Sequence, residues 1–261
     1  MARADLPTLE YYYGMLNTTQ SDPSQHLTPW LMRHWLLLLA VPWTLYVSVP
    51  WLAPVAMQLG ARQAADAIYT VYSTQCHQLP ERSYFLFGPK TMYSLDEIQA
   101  AFLPTNDPLV LRQFNGNETM GWKVAWSDRM VSLYGGVWLA MVLFALVGRR
   151  LPRLPVWAFA LMLLPMLLDG GSHFLSDVLS GGVGAGFRDS NAWLAALSGQ
   201  TLPAWFVAGD ALGSFNWSLR LLTGLLMAVA VVWFVFPLLD DSAAAARYDL
   251  ERAQRRAGQS A

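Results

Sequence analysis

The sequence predicts an all-α fold: a polytopic membrane helix bundle of about four transmembrane helices, with extramembrane loops on one face. Three observations predict it. Charged residues make up 13% of the 261 positions, against about 25% in soluble domains. Hydrophobic residues make up 54% and gather into long runs without charge. The arginines flanking those runs are Arg33 before the first, Arg149, Arg150 and Arg153 between the second and third, and Arg247, Arg252, Arg255 and Arg256 after the last. All three flanks lie on one side if four runs cross, as the positive-inside rule requires. A multi-pass protein of the cell (inner) membrane with both termini cytoplasmic follows.

The elements follow in chain order. Residues 1–34 carry Tyr11, Tyr12 and Tyr13 and then a Thr/Ser/Asp/Pro turn cluster, and read as an interfacial arm. Nothing near Met1 has the apolar core of a cleavable signal peptide. Residues 35–57 are uncharged and long enough to span, since about 20 apolar residues cross the hydrocarbon. Pro42, Pro50 and Pro54 predict a bent first span whose freed carbonyls are satisfied by neighbours. Residues 61–73 are a milder helical segment. Residues 84–128 read as an outer insertion, with Ser94 and Glu97 at capping-box spacing and a turn at Asn115-Gly116. Residues 130–148 form the second span and 154–169 the third. Residues 170–218 form a glycine-rich outer loop, in which 193–212 is apolar enough to be a re-entrant fifth segment. Residues 219–239 form the last span, closing a single membrane domain over 35–239. Residues 240–261 form a charged cytoplasmic tail.

The remaining totals exclude classes. The net charge of −1 offers nothing to nucleic acid. One cysteine rules out an internal disulfide and a multi-cysteine metal site. Twelve tryptophans and ten tyrosines suit membrane interfaces, so the partners expected are the lipid bilayer and other membrane subunits or a second copy. The Ala, Leu and Arg bias is that of a bacterial chain.

The polar residues fall in four groups on the predicted outer side: Cys76 and His77 with Glu81 and Arg82; Asp128 and Arg129; Asp169, His173 and Asp177; Asn216 and Arg220. Residues four apart share a helix face, so Asp169, His173 and Asp177 line one stripe if the helix continues through Gly170 and Gly171. Such a ladder can bind a divalent metal such as zinc or relay protons. It can equally be a polar helix end paired to an arginine. A charge at bilayer depth costs about 3 kcal/mol and is usually paired or functional. Asp169 and Asp128 are the natural partners of Arg220. Cys76 and His77 supply two metal ligands that need others, and a packed thiol beside a backbone-bonded imidazole is the plainer reading.

The chain resembles a family of predicted prokaryotic multi-pass membrane proteins with no assigned function. The resemblance rests on Cys76, His77, Pro80, Arg82 and Ser83, on Asp128 and Arg129 followed by Tyr134 and Gly136, on Asp169-Gly170, and on Asn216, Arg220, Thr223 and Gly224. It implies the fold and the topology and lends no activity. One departure matters: Ser127 stands where the family tends to have a second cysteine, and a hydroxyl is a poor ligand for zinc or copper.

Three function classes follow. The first is an outer-face binding site or enzyme, with a divalent metal held by His77, His173, Asp169 and Cys76. The second is a structural or accessory subunit of a larger membrane assembly. The third is a small transporter or channel with Arg220 and Asp169 in its path.

Overall fold

The computed structural model describes residues 24–147 and 152–259. Most of the expected N-terminal arm, and Arg149 and Arg150 of the charge argument, lie outside the described residues. The elements in order are α1 (Ser24–Arg33), α2 (Trp35–Gln58), α3 (Arg62–Tyr72), a 3-10 turn (Pro80–Arg82), β1 (Ser83–Leu86), α4 (Leu95–Ala101), α5 (Pro108–Leu111), β2 (Gly116–Asn117), β3 (Gly121–Ser127), α6 (Asp128–Val147), α7 (Val156–Ser180), α8 (Phe187–Ser190), α9 (Ala192–Leu197), α10 (Ala204–Val207) and α11 (Phe215–Gln259). Among the described residues, α2, α6, α7 and α11 are the helices long and apolar enough to cross a membrane. The expected class, an all-α bundle with about four spans, is borne out. The 193–212 stretch holds two short helices, α9 and α10, rather than a fifth span.

The described residues fall into two compact units, residues 24–39 with 238–259, and the described part of residues 40–237. Within the first, the Trp35 indole N–H donates to Asp240 Oδ1 at 3.2 Å. The second holds the polar groups singled out above.

In that second unit the prolines of α2 are accommodated as the membrane setting demands. Pro50 has no N–H, so the carbonyl of Tyr46, four residues earlier, loses its helical donor. The Tyr72 hydroxyl from α3 donates to that carbonyl at 2.8 Å. Tyr72 belongs to a buried cluster with Ala53, Ala65, Tyr69, Cys76, Val124, Ala125 and Trp126. The α2–α3 corner is therefore fixed by apolar packing and by one hydrogen bond that the proline makes necessary.

The insertion differs from the sequence reading. The capping box at Ser94 and Glu97 is present, but the segment is built on a three-stranded antiparallel sheet in the order β1-β3-β2. The register pairs Ser83 with Ser127 and Phe85 with Lys123, with an irregularity between Ser83 and Phe85. Every residue of β3 is buried, so the strand lacks the in–out alternation that marks a half-exposed strand. A second apolar cluster of Leu79, Phe85, Tyr93, Ile98, Leu111, Phe114, Met120 and Val183 packs the insertion.

The third span also runs further than expected. α7 passes through Gly170 and Gly171 without a break to Ser180. Gly170 has a steric reason: a Cβ there would lie 2.8 Å from Arg129 Nη1. Gly224 plays the same part between α6 and α11, where a Cβ would lie 2.1 Å from Ser132 Oγ.

Candidate functional site

The outer groups meet. Residues 76–83 turn sharply, with Gln78 at φ 52°, and enter the 3-10 turn at Pro80. Ser83 Oγ donates back to Leu79 O at 2.8 Å. The turn places Arg82, 4% exposed, against three aspartates from distant segments. Its Nε donates to Asp210 Oδ2 at 2.9 Å, and its Nη1 and Nη2 bracket the Asp177 carboxylate at 3.0 and 3.2 Å. Asp189 Oδ1 lies 3.8 Å from Nη2.

Arg220, near the start of α11, is the second junction. Its Nε donates to both oxygens of Asp128 at 2.9 Å. Its Nη1 donates to Asp210 Oδ1, and its Nη2 to the Asp210 carbonyl at 3.1 Å. Asp210 thus bridges two guanidiniums. Burial works against its ionisation, but Arg82 and Arg220 outweigh that and hold its carboxyl far below the usual range.

Asp169 is the third junction. It receives Arg129 Nη2 at 2.9 Å and Arg188 Nη2 at 2.8 Å. Arg188 Nη2 also donates to Asn216 Oδ1 at 3.1 Å and lies 3.2 Å from His173 Nε2. Asn216 Nδ2 returns to the Arg188 carbonyl at 2.7 Å. Among the described residues, four arginines and five aspartates join this lattice. Each arginine has a guanidinium nitrogen within 3.0 Å of a carboxylate oxygen, close pairing of the kind buried charges need.

The predicted residues are placed as follows. Asp169, His173 and Asp177 share a face of α7 and all border the lattice. Asp128, Arg129, Arg82, Asn216 and Arg220 are in it. Arg220 takes Asp128 and Asp210, while Asp169 takes Arg129 and Arg188. Cys76 and His77 stand apart. The buried Cys76 thiol donates to Ser127 Oγ at 3.4 Å, and its sulfur accepts from the Ser127 and Gln78 backbone N–H groups, each at 3.3 Å. His77 is exposed, and its Nδ1 accepts from the Leu79 N–H at 3.1 Å. Among the described residues no group of three or more His, Cys, Asp or Glu is placed to hold a metal ion.

Sequence reasoning missed Arg188, Asp189 and Asp210 as site residues. Asp210 carried a signal, as the one charge in an apolar stretch of the 170–218 loop. Arg188 and Asp189 carried none, because a charged pair in a polar loop has no periodicity to betray burial.

Beside the lattice lies a cleft of about 400 Å³ lined by Glu81, Ser94, Leu95, Asp96, Gly184, Asp189, Trp205, Gly209 and Asp210, among others. Its acidic floor of Glu81, Asp189 and Asp210 is buried. Neither Glu81 carboxylate oxygen has a hydrogen-bond partner on another residue. Burial pushes the Glu81 carboxyl up to about 7, with Arg82 pulling down and Asp210 pushing further up. On β3, Lys123 is fully buried, and its Nζ donates to the Gln78 and Arg112 carbonyls at 2.8 Å each. Burial lowers its ammonium to about 7, against the pull of Glu81.

A family described as predicted membrane protein (DUF2085) matches residues 118–234. That range carries Asp128, Arg129, Asp169, Arg188, Asp210 and Arg220 and begins after Arg82. An uncharacterized protein of Methanocaldococcus jannaschii is 21% identical over 219 residues, covering 80% of this chain and 96% of that protein. No solved structure matches. The resemblance to membrane proteins without an assigned function is borne out, and the chain is a membrane protein with four candidate spans.

Proposed function

We propose that this membrane protein binds a positively charged ligand at the extracytoplasmic ends of its spans, in the cleft floored by Glu81, Asp189 and Asp210. The observation that carries this reading is the charge imbalance of the buried lattice. Among the described residues its five aspartates outnumber its four arginines, and Glu81 adds a further acid where the lattice borders an open cleft. Excess buried negative charge beside a cavity attracts a cation. The orientation rests on Arg33, Arg153 and the arginines of the tail, which the positive-inside rule puts in the cytoplasm.

Binding is better supported than passage. Residues 137–147 and 154–168 hold no ionisable side chain, so the polar groups stop at one end of the spans. A divalent metal on His77, His173, Asp169 and Cys76 is supported less, because Cys76 and Asp169 are engaged elsewhere and His77 is exposed. No reaction is assigned.

The test is thermal unfolding of the detergent-purified chain with magnesium, putrescine or sulfate at fixed ionic strength. At least one cation raises the midpoint saturably and sulfate does not. If no cation raises it, the lattice is framework only, and the accessory-subunit reading takes its place.

A further inference from the structure

The cleft offers its ligand a particular set of groups. Both Asp210 oxygens are taken, Oδ2 by Arg82 and Oδ1 by Arg220. Asp189 Oδ2 accepts the Gly186 N–H at 2.8 Å, and its other oxygen faces Arg82. Of the three buried floor acids, Glu81 is the one whose two oxygens take no hydrogen bond from another residue, although it is only 3% exposed. Divalent calcium wants six to eight oxygens and magnesium six, and the described residues place no three His, Cys, Asp or Glu side chains to hold a metal ion. One buried carboxylate without a donor suits one ammonium group carrying its own N–H donors. The cleft wall adds Trp205, 66% exposed, and an indole face attracts an organic cation.

We propose that the cleft receives a protonated primary amine, with the Glu81 carboxylate as its counter-charge and the Trp205 ring as its apolar contact. This rests on the reading of the cleft as a cation site. The ammonium donates hydrogen bonds to the two Glu81 oxygens and fills the charge the lattice lacks. When Glu81 is protonated, arrival of the ammonium sends that proton to solvent, so charge and protons balance. The groups that set Glu81 are Arg82 beside it, Asp210 and Asp189 on the floor, Lys123 on β3 and Asp96 at the rim. With the Glu81 carboxyl near 7, amine affinity rises about tenfold per pH unit below that value and levels off above it.

The experiment is calorimetric titration of putrescine into the full chain in phosphatidylcholine nanodiscs, in two buffers of different ionisation enthalpy. Saturable binding is expected, with close to one proton released at pH 6 and little at pH 8. Glu81→Gln weakens binding at least tenfold. Should that variant fail to fold, Trp205→Ala on the rim weakens binding about two- to fivefold. Phosphatidylethanolamine nanodiscs separate the sources. Suppressed putrescine binding there identifies a lipid headgroup as the amine, and undiminished binding identifies a soluble one; either upholds the proposal. Absence of putrescine binding in phosphatidylcholine, or binding unchanged in both variants, overturns it. Magnesium binding without putrescine binding overturns the amine while leaving the cation cleft standing, and binding of neither ends both.

Discussion

Pro50 and Tyr72 make one unit although 22 positions separate them in the sequence. The proline removes the donor that Tyr46 O would use, and the Tyr72 hydroxyl replaces it. Tyr72→Phe leaves that carbonyl unpaired, at a cost of about 1–3 kcal/mol, read as a lowered thermal midpoint in detergent. Pro50→Ala restores a backbone N–H, so the double variant regains part of the loss. Ser127 gives a second test. Its Oγ lies 3.4 Å from the Cys76 sulfur, and a disulfide closes at about 2.05 Å. Ser127→Cys is expected to oxidise to a disulfide with Cys76, seen as a two-dalton mass loss and absence of free thiol after denaturation.

At the scale of elements, the spans were legible and the sheet was not. Uncharged runs of about 20 residues state their own structure, whereas β3 reads Gly-Trp-Lys-Val-Ala-Trp-Ser and is buried throughout. Its lysine argued for solvent, yet the Lys123 amine is capped by two carbonyls. The polar site was half legible for a related reason. Residues at span ends, such as Asp128, Asp169 and Arg220, were conspicuous against apolar neighbours. Arg188 and Asp189 became site residues only through the path of the 170–218 loop. Gly224 tests how closely the spans approach. Gly224→Ala drives a methyl into Ser132 Oγ and costs about 1–3 kcal/mol. Ser132→Ala relieves only part of it, because Ser132 Cβ is itself 3.1 Å from the new methyl.

For the whole molecule, two buried groups make pH-dependent contributions of opposite sign. Glu81 titrates near 7 when folded and near 4.5 when exposed. Its raised value favours the fold below about pH 4.5, and this contribution is lost as pH rises through 7, up to about 3 kcal/mol in all. Lys123 runs the other way. Its folded value near 7 lies below the 10.5 of a free lysine, so the unfolded chain holds the extra proton and stability rises from pH 7 upward. The parent's advantage in thermal midpoint over Glu81→Gln therefore shrinks from pH 5 to 7, and its advantage over Lys123→Met grows from pH 7 to 9. A difference that stays flat across either window refutes the assignment of that group.

The lattice also orders the chain's own making. Arg220 is the last of its four arginines to be synthesised, and it is the side-chain ion-pair partner of Asp128. Until α11 arrives, the carboxylate at the head of α6 lacks its ion-pair partner, and Asp210 has only Arg82. A nascent protein of three spans thus carries an incomplete charge lattice. The fourth span completes the charge pairing, so that joining the membrane and maturing into a locked structure become one event.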